Sequence, residues 1–471
     1  MAVSPRSVSR RSFVRSSAAA GCALGIAGFA STARSAQRVA GANERVNVGL
    51  IGFGLIGRIH ARSFLAQPDV NLMALSEVYA PRMGAGTELI GSSAKRYPDF
   101  RKMLDDKDVD AVVVATPDHW HALQTMMACA AGKDVYVEKP LTLVVREGRW
   151  MLDVARRHKR VVQVGTQNRS GPTFQKAKEF INQGRLGSIV SVQNNYFRNV
   201  APGFGNPPDG EPPKELNWDL WLGPAPMRRY NPNRAIYHFR WFWDYSGGQM
   251  TNLGQHSLDL VHWITGVKGA SSVYSTGGRT FLKDNCEVPD TQTAIHEYPG
   301  FTVVTQYREA SAGTGGQGMG GLMFHGTKGT MPMSRKGFEL LADPKVDPVN
   351  TVAAILGGHP VGGPQKVQEA EGDAWTEPTK DESGDPAEDY KRHARNFVDC
   401  VKSRKTPLSD LESGHQIATA CHLANISLRT GQKLDWDVEK EQLKGGDKRA
   451  AEMLERPYRQ PWDKELRALI T

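Results

Sequence analysis

Cysteine is scarce in this sequence: five in 471 residues, with no CxxC pair among them. Cys22, Cys129, Cys286, Cys400 and Cys421 lie far apart, so neither a zinc site nor a dense disulfide framework is implied. No metal centre is expected. Long apolar runs are missing too. The best candidate, SSAAAGCALGIAGFA (16–30), is made of small residues and is too short for a stable bilayer span, so no integral membrane segment is expected in the mature chain. A dense Lys/Arg stripe interleaved with aromatics is likewise absent. Basic residues number 59 against 50 acidic ones, a net charge of +9. Residues 1–36 hold five arginines and no acid, which leaves 54 bases against 50 acids, or +4, in the remainder. That distribution excludes a phosphate-tracking surface, and nucleic acid is set aside as a partner. No carboxylate pair reads as an ordinary hydrolytic site.

What is present is the composition of a globular protein, 39% hydrophobic and 23% charged, long enough for two or three domains. The first 36 residues have the grammar of a signal peptide: basic SPRSVSRRSFVR (4–15), a short apolar stretch, then small residues that could be cut. Arg10-Arg11 followed by Ser12-Phe13-Val14 resembles a twin-arginine signal. That implies export through the twin-arginine machinery to the periplasm as a folded protein, with any cofactor captured beforehand.

VNVGLIGFG (46–54) is an apolar, β-rich run, and LIGRIHARSFLAQ (55–67) has helical spacing. Gly52, Gly54 and Gly57 form G-x-G-x-x-G at that strand-to-helix turn, bringing Phe53, Leu55 and Ile56 with them. Such glycines allow a tight turn, close approach of a pyrophosphate and close helix–strand packing, while the helix N-terminus offers amides to the phosphates. VNLMALSE (70–77) reads as the next strand and ends in Glu77, placed to accept from ribose hydroxyls and to repel a 2′-phosphate. NAD is therefore expected ahead of NADP, with Arg82 nearby keeping NADP open. Alternation continues through DAVVVAT (110–116), DVYVEKP (134–140) and VVQVGTQ (161–167), predicting a parallel sheet with ligands at the strands' carboxyl ends. Those ends carry Thr116-Pro117 and His121, Glu138-Lys139, and Gln167 with Arg169.

The motifs GFGLIG (52–57), TPDHWH (116–121), VEKP (137–140) and GGQMTNLGQHSLDLVHW (247–263) together resemble the Gfo/Idh/MocA oxidoreductase family. The resemblance implies an α/β fold: a Rossmann parallel sheet over 44–168, then an α+β domain over 169–440 with a large, mostly antiparallel open sheet. Residues 441–471 read as a C-terminal extension. Homo-oligomers are also implied. Runs such as SIVSVQNNYF (188–197), TQTAIHEY (291–298) and FTVVTQY (301–307) would supply the second sheet, and about 343–385 reads as a long excursion.

By the same resemblance Lys139 is catalytic, its ammonium favouring the alkoxide that hydride loss requires. His256 would exchange the alcohol proton. Family members commonly place an aspartate one helical turn before it, and Asn252 stands there instead. Arg169, His238, Tyr245 and Asp259 are weaker substrate candidates, and Trp218 and Trp221 wall the cofactor or fill the core. The leading expectation is an NAD-dependent dehydrogenase that moves hydride between a tightly bound nicotinamide and a sugar or cyclitol carbon. A redox-neutral NAD-dependent glycosidase and a non-catalytic, nucleotide-retaining sugar-binding protein are the alternatives.

Overall fold

A computed structural model describes residues 45–313, 321–345, 374–445 and 448–471. The leader read over 1–36 and most of the 343–385 excursion lie outside the described residues. The first unit runs β1 (Val46–Ile51), α1 (Leu55–Leu65), β2 (Val70–Ser76), α2 (Ala80–Ile90), β3 (Lys95–Tyr97), α3 (Phe100–Leu104), β4 (Ala111–Val114), α4 (Asp118–Ala130), β5 (Asp134–Val137), α5 (Val145–Arg157) and β6 (Val162–Val164). Its strands form one parallel sheet in the order β3-β2-β1-β4-β5-β6. The reversal of strand order lies between β1 and β4, where a doubly wound sheet opens a ligand crevice.

Strand β4 shows why the chain adopts this arrangement. Ala111 and Val113 face one core with Phe64 and Tyr136, while Val112 and Val114 face the other with Leu123 and Met126. A two-residue period with apolar side chains on both faces is stable only between two helical layers. Each of the valines, removed from water, contributes about 1.5–3 kcal/mol.

The second unit comprises α6 (Pro172–Asn182), β7 (Ile189–Phe197), α7 (Trp218–Leu222), α8 (Gly248–Asn252), α9 (Gly254–Thr265), β8 (Ser272–Gly278), β9 (Thr291–Tyr298), β10 (Phe301–Arg308), β11 (Leu322–Gly326), β12 (Gly329–Met333), β13 (Phe338–Ala342) and β14 (Thr379–Asp381), then α10 (Pro386–Ser403), α11 (Leu411–Thr430), β15 (Leu434–Asp437), β16 (Gln442–Leu443), α12 (Lys448–Glu452) and α13 (Trp462–Ile470). Its ten strands are ordered β14-β13-β12-β11-β7-β10-β9-β8-β15-β16. Among the described residues of this sheet, only β7 and β10 pair in parallel. One face packs on α6, α9 and α11, burying Phe174, Leu258, Val303 and Ile417. The other exposes Tyr274 and Ile295, which pair across β8 and β9.

Two late segments return to the first unit. Helix α10 inserts Phe397 and Val398 beside Phe64, and its Arg395 and Lys402 hold Asp69 at the start of β2. In the final stretch Leu454 joins the core of the second unit, whereas Tyr458, Trp462 and Leu466 join that of the first. This tail is therefore a strap packed into both cores.

Candidate active site

The β1–α1 turn is built for close approach. Gly52 has φ +93°, and a Cβ there would lie 2.7 Å from the Ala115 carbonyl oxygen. A Cβ on Gly57 would sit 2.2 Å from the Gly52 oxygen. Both must be glycine. Gly54 caps α1, and the first helical turn carries no acid, so the amides and dipole face an open pocket unopposed. Glu77 lines that pocket, its carboxylate accepting from the amides of Phe53 (2.8 Å), Val78 (2.8 Å) and Tyr79 (3.0 Å). Arg82, Thr116, Pro117 and Trp221 complete the wall. The arrangement suits a dinucleotide: amides for phosphates, a fixed carboxylate at the end of β2 for a ribose.

A second cleft adjoins this pocket, sharing Leu55, Ile56, Thr116, Tyr237 and Arg240 with it. At the cleft floor Lys139 follows β5, and its Nζ donates to the Asn252 carbonyl (3.0 Å) and side-chain oxygen (2.9 Å). Burial, opposed by Glu138 and aided by Arg240, lowers the Lys139 pKa to about 8. Glu138 is itself buried, 2.7 Å from His60 Nε2 and accepting the Lys139 amide at 3.0 Å. A Cβ on Gly165 would meet this carboxylate at 2.5 Å, so the turn after β6 leaves room for it. Asn252 ends α8, and His256 follows just inside α9; both line the cleft. Burial, then Lys139 and Arg335, push the His256 pKa well below its usual value, so the ring is neutral near pH 7. An ammonium and a neutral imidazole thus face one cleft beside a nucleotide pocket.

The family model described as an oxidoreductase family with an NAD-binding Rossmann fold matches residues 46–166, and its C-terminal alpha/beta domain model matches 175–356 and 377–464. The chain belongs to the Gfo/Idh/MocA oxidoreductase family. Levoglucosan dehydrogenase of Pseudarthrobacter phenanthrenivorans is 27% identical over 244 residues, covering 50% of this chain and 55% of that protein. Rhizopine catabolism protein MocA of Rhizobium meliloti is 27% identical over 237 residues, 50% of this chain and 62% of its own. The chain spans about three-fifths of the length of these relatives. Among solved structures, levoglucosan dehydrogenase in complex with NADH and levoglucosan aligns with TM-score 0.62 at 18% identity, covering 83% of this chain and 99% of that one. The WlbA dehydrogenase from Bordetella pertussis, in complex with NADH and UDP-GlcNAcA, aligns with TM-score 0.60 at 21% identity, covering 84% and 98%. These two share the fold.

Within this Gfo/Idh/MocA framework several expected site residues fall elsewhere. Arg169 and Asp259 do not reach the cleft; they form a buried ion pair, Arg169 Nε lying 3.0 Å from both carboxylate oxygens. Tyr245 is fully buried between His119 and Trp221, because its ring completes an aromatic core rather than a cavity wall. His121 is also internal: its ring nitrogens lie 2.6 Å from the Pro140 oxygen and 2.9 Å from the Thr116 oxygen, tying two strand ends together. Phe53 offers its amide to Glu77 while its side chain joins the core. Gln167 sits behind the cleft, where its amide oxygen accepts from Arg335 Nη2 (2.8 Å) and Tyr390 Oη (2.9 Å). His238 does line the cleft, its ring tilted against that of Phe204 with centroids 4.2 Å apart.

Sequence reasoning missed Arg335, Tyr390, Arg198 and Gln249. Gln249 Oε1 accepts from Asn252 Nδ2 (3.1 Å), and its own amide donates to Glu309 (2.7 Å), which also holds Arg198. Arg335, Tyr390 and Arg198 come from a β-turn, a distant helix and a strand end, and nothing local in the sequence marks them. For Gln249 a signal existed: it lies three positions before Asn252, one helical turn away.

Proposed function

We propose that this protein is an NAD-dependent oxidoreductase acting at a hydroxyl-bearing carbon of a sugar or cyclitol. The observation that carries this reading is Lys139, whose ammonium is anchored on Asn252 in the cleft that adjoins the nucleotide pocket. A bound nicotinamide would supply the hydride acceptor. Lys139 commits two N–H groups to Asn252 and keeps the third for a substrate oxygen, stabilising developing alkoxide charge. Neutral His256 accepts the hydroxyl proton. Asn252 fixes the ammonium but adds no negative charge, so the proton acquired by His256 is held weakly and passes on readily. Glu77 supports NAD as the cofactor, since a carboxylate beside the ribose disfavours a 2′-phosphate. Export by the twin-arginine route, with cofactor tightly bound, is supported by the leader's pattern. Oligomers through the open sheet face are supported by exposed Tyr274 and Ile295.

The test is NADH formation by purified protein offered NAD and a panel of sugars and cyclitols. Lys139→Ala is expected to lose at least about 100-fold in kcat while still binding NAD. Failure of the wild-type holoprotein to oxidise any panel member, or full activity in the variant, overturns the reading. Aglycone release from aryl glycosides without net NADH would select the redox-neutral glycosidase instead. Nucleotide co-eluting with protein from the periplasm, and the mass of the native species, check export and assembly.

A further inference from the structure

The charge balance of the cleft is lopsided. Its lining carries Lys139, Arg198, Arg240 and Arg335 against Asp118 and Glu138. Both carboxylates are engaged: Asp118 accepts from the Ser246 hydroxyl, and Glu138 is committed to His60 and the Lys139 amide. Arg198 is neutralised by Glu309. Arg240 also borders the nucleotide pocket, so a bound nucleotide would share its charge. Arg335 borders the cleft alone.

How Arg335 is held is the telling feature. It sits on the turn between β12 and β13, and its Nε donates to Asn168 Oδ1 at 3.1 Å while Nη2 donates to the Gln167 amide oxygen at 2.8 Å. Both anchors are almost completely buried. Arg169 and Arg395, by contrast, are paired with acids, Asp259 and Asp69. Two neutral amides orient the Arg335 guanidinium without neutralising it, and Asp389, whose carboxylate feels its charge, is itself paired with Arg392. Among the described residues it has no ion-pair partner. A guanidinium preorganised in this way matches the two oxygens of a carboxylate or phosphate.

We propose that the substrate is a sugar bearing an anionic group, a carboxylate or a phosphate monoester, and that Arg335 binds that group. This rests on the oxidoreductase reading of the same cleft. Phe204 and Trp241, stacked 6.1 Å apart, provide the apolar wall that a sugar ring needs. The charge of Arg335 is felt at both proton-transfer groups, with Glu138 and Asp118 opposing it at Lys139. After burial, Arg335 is among the causes that depress Lys139 and His256 alike.

The test uses the full chain loaded with NAD and reads binding by calorimetry, so turnover is not required. Hexuronates, hexose phosphates and the matching neutral hexoses are titrated as separate arms, which distinguishes carboxylate from phosphate. At least one anionic class is expected to bind roughly 10-fold or more tightly than its neutral counterpart, with Arg335→Met abolishing that advantage and Arg335→Lys retaining part of it. NAD affinity in both variants should stay within about twofold of wild type, since Arg335 lies away from the nucleotide pocket. Neutral sugars binding as tightly as anionic ones, or an undiminished anionic preference in Arg335→Met, overturns the proposal. Arg335-dependent anion binding with no NADH from any substrate would overturn the oxidoreductase reading and leave this one standing. NADH formation confined to neutral sugars would do the reverse.

Discussion

Breaking the Arg169–Asp259 pair should destabilise the protein and spare its chemistry. The two side chains are 4% and 1% exposed, and the bidentate contact joins the turn after β6 to helix α9. Arg169 Nη1 also donates to the Leu408 carbonyl at 2.9 Å, so a third segment is fastened here. Removing either partner strands a buried charge, at a cost of about 3–5 kcal/mol, or roughly 150- to 5,000-fold in the folding equilibrium. Replacing both with apolar residues of similar volume removes the stranded charge, so Arg169→Met/Asp259→Leu should recover most of that loss. The single variants should also differ in pH dependence. Burial already raises the Asp259 pKa, with Arg169 opposing. In Arg169→Met that opposition is gone, the folded pKa lies above the unfolded one, and stability is present at low pH and lost as pH rises through the folded value. Denaturant midpoints for the two singles and the double, at pH 5 and pH 8, measure this directly. Substrate KM, assayed where each variant is folded, should stay near wild type. A variant of wild-type stability with a raised KM would put these residues back in contact with substrate.

Two further predictions concern the reaction. With Lys139 required as a cation and its pKa lowered to about 8, kcat/KM should be flat through neutrality and fall as pH rises through about 8. His256, pushed well below its usual range, should impose no loss until pH is well under 6.5, and a profile that climbs through pH 8 would instead make neutral Lys139 the base. Glu77→Ala should raise the ratio of NADP to NAD affinity by about 10-fold or more, read by nucleotide titration, because the charge repelling a 2′-phosphate is gone. An unchanged ratio would remove Glu77 from cofactor selection.

The parts legible in the sequence are those whose function is local. Gly52 and Gly57 announce a strand-to-helix turn because the steric demand and the residue that meets it are the same residue. The strands of the parallel sheet read as continuous apolar runs because both their faces are buried, and Lys139, just past one of them, is marked by the VEKP motif of the family resemblance. Arg169 and His121 also sit near such ends, and there position misled. A polar residue near a strand's carboxyl end either faces the ligand crevice or ties neighbouring segments together, and only the partner decides. For Arg169 the partner lies 90 residues away on α9. The residues missed altogether are carried by tertiary placement. Arg335 follows a short strand, between Ser334 and Lys336, and no period marks it. It reaches the cleft because the β12–β13 turn lands on Asn168, in the turn that leaves the nucleotide domain.

One departure visible in the sequence gains its meaning only from that placement. Asparagine at 252, where the family resemblance leads one to expect aspartate, leaves Lys139 held by a side-chain amide and a backbone carbonyl, just as Arg335 is held by Gln167 and Asn168. In both places an acceptor fixes the geometry of a cation without quenching it. An aspartate at 252 would have matched Lys139 with a full negative charge and drawn the cleft toward neutrality, suiting an uncharged polyol. The amide leaves that charge available to the substrate. Asn252→Asp should therefore raise the Lys139 pKa toward its ordinary value and weaken binding of anionic sugars more than neutral ones. The kcat/KM profile and the same calorimetric titrations read both effects. An equal loss for both sugar classes would mean that Asn252 serves geometry alone.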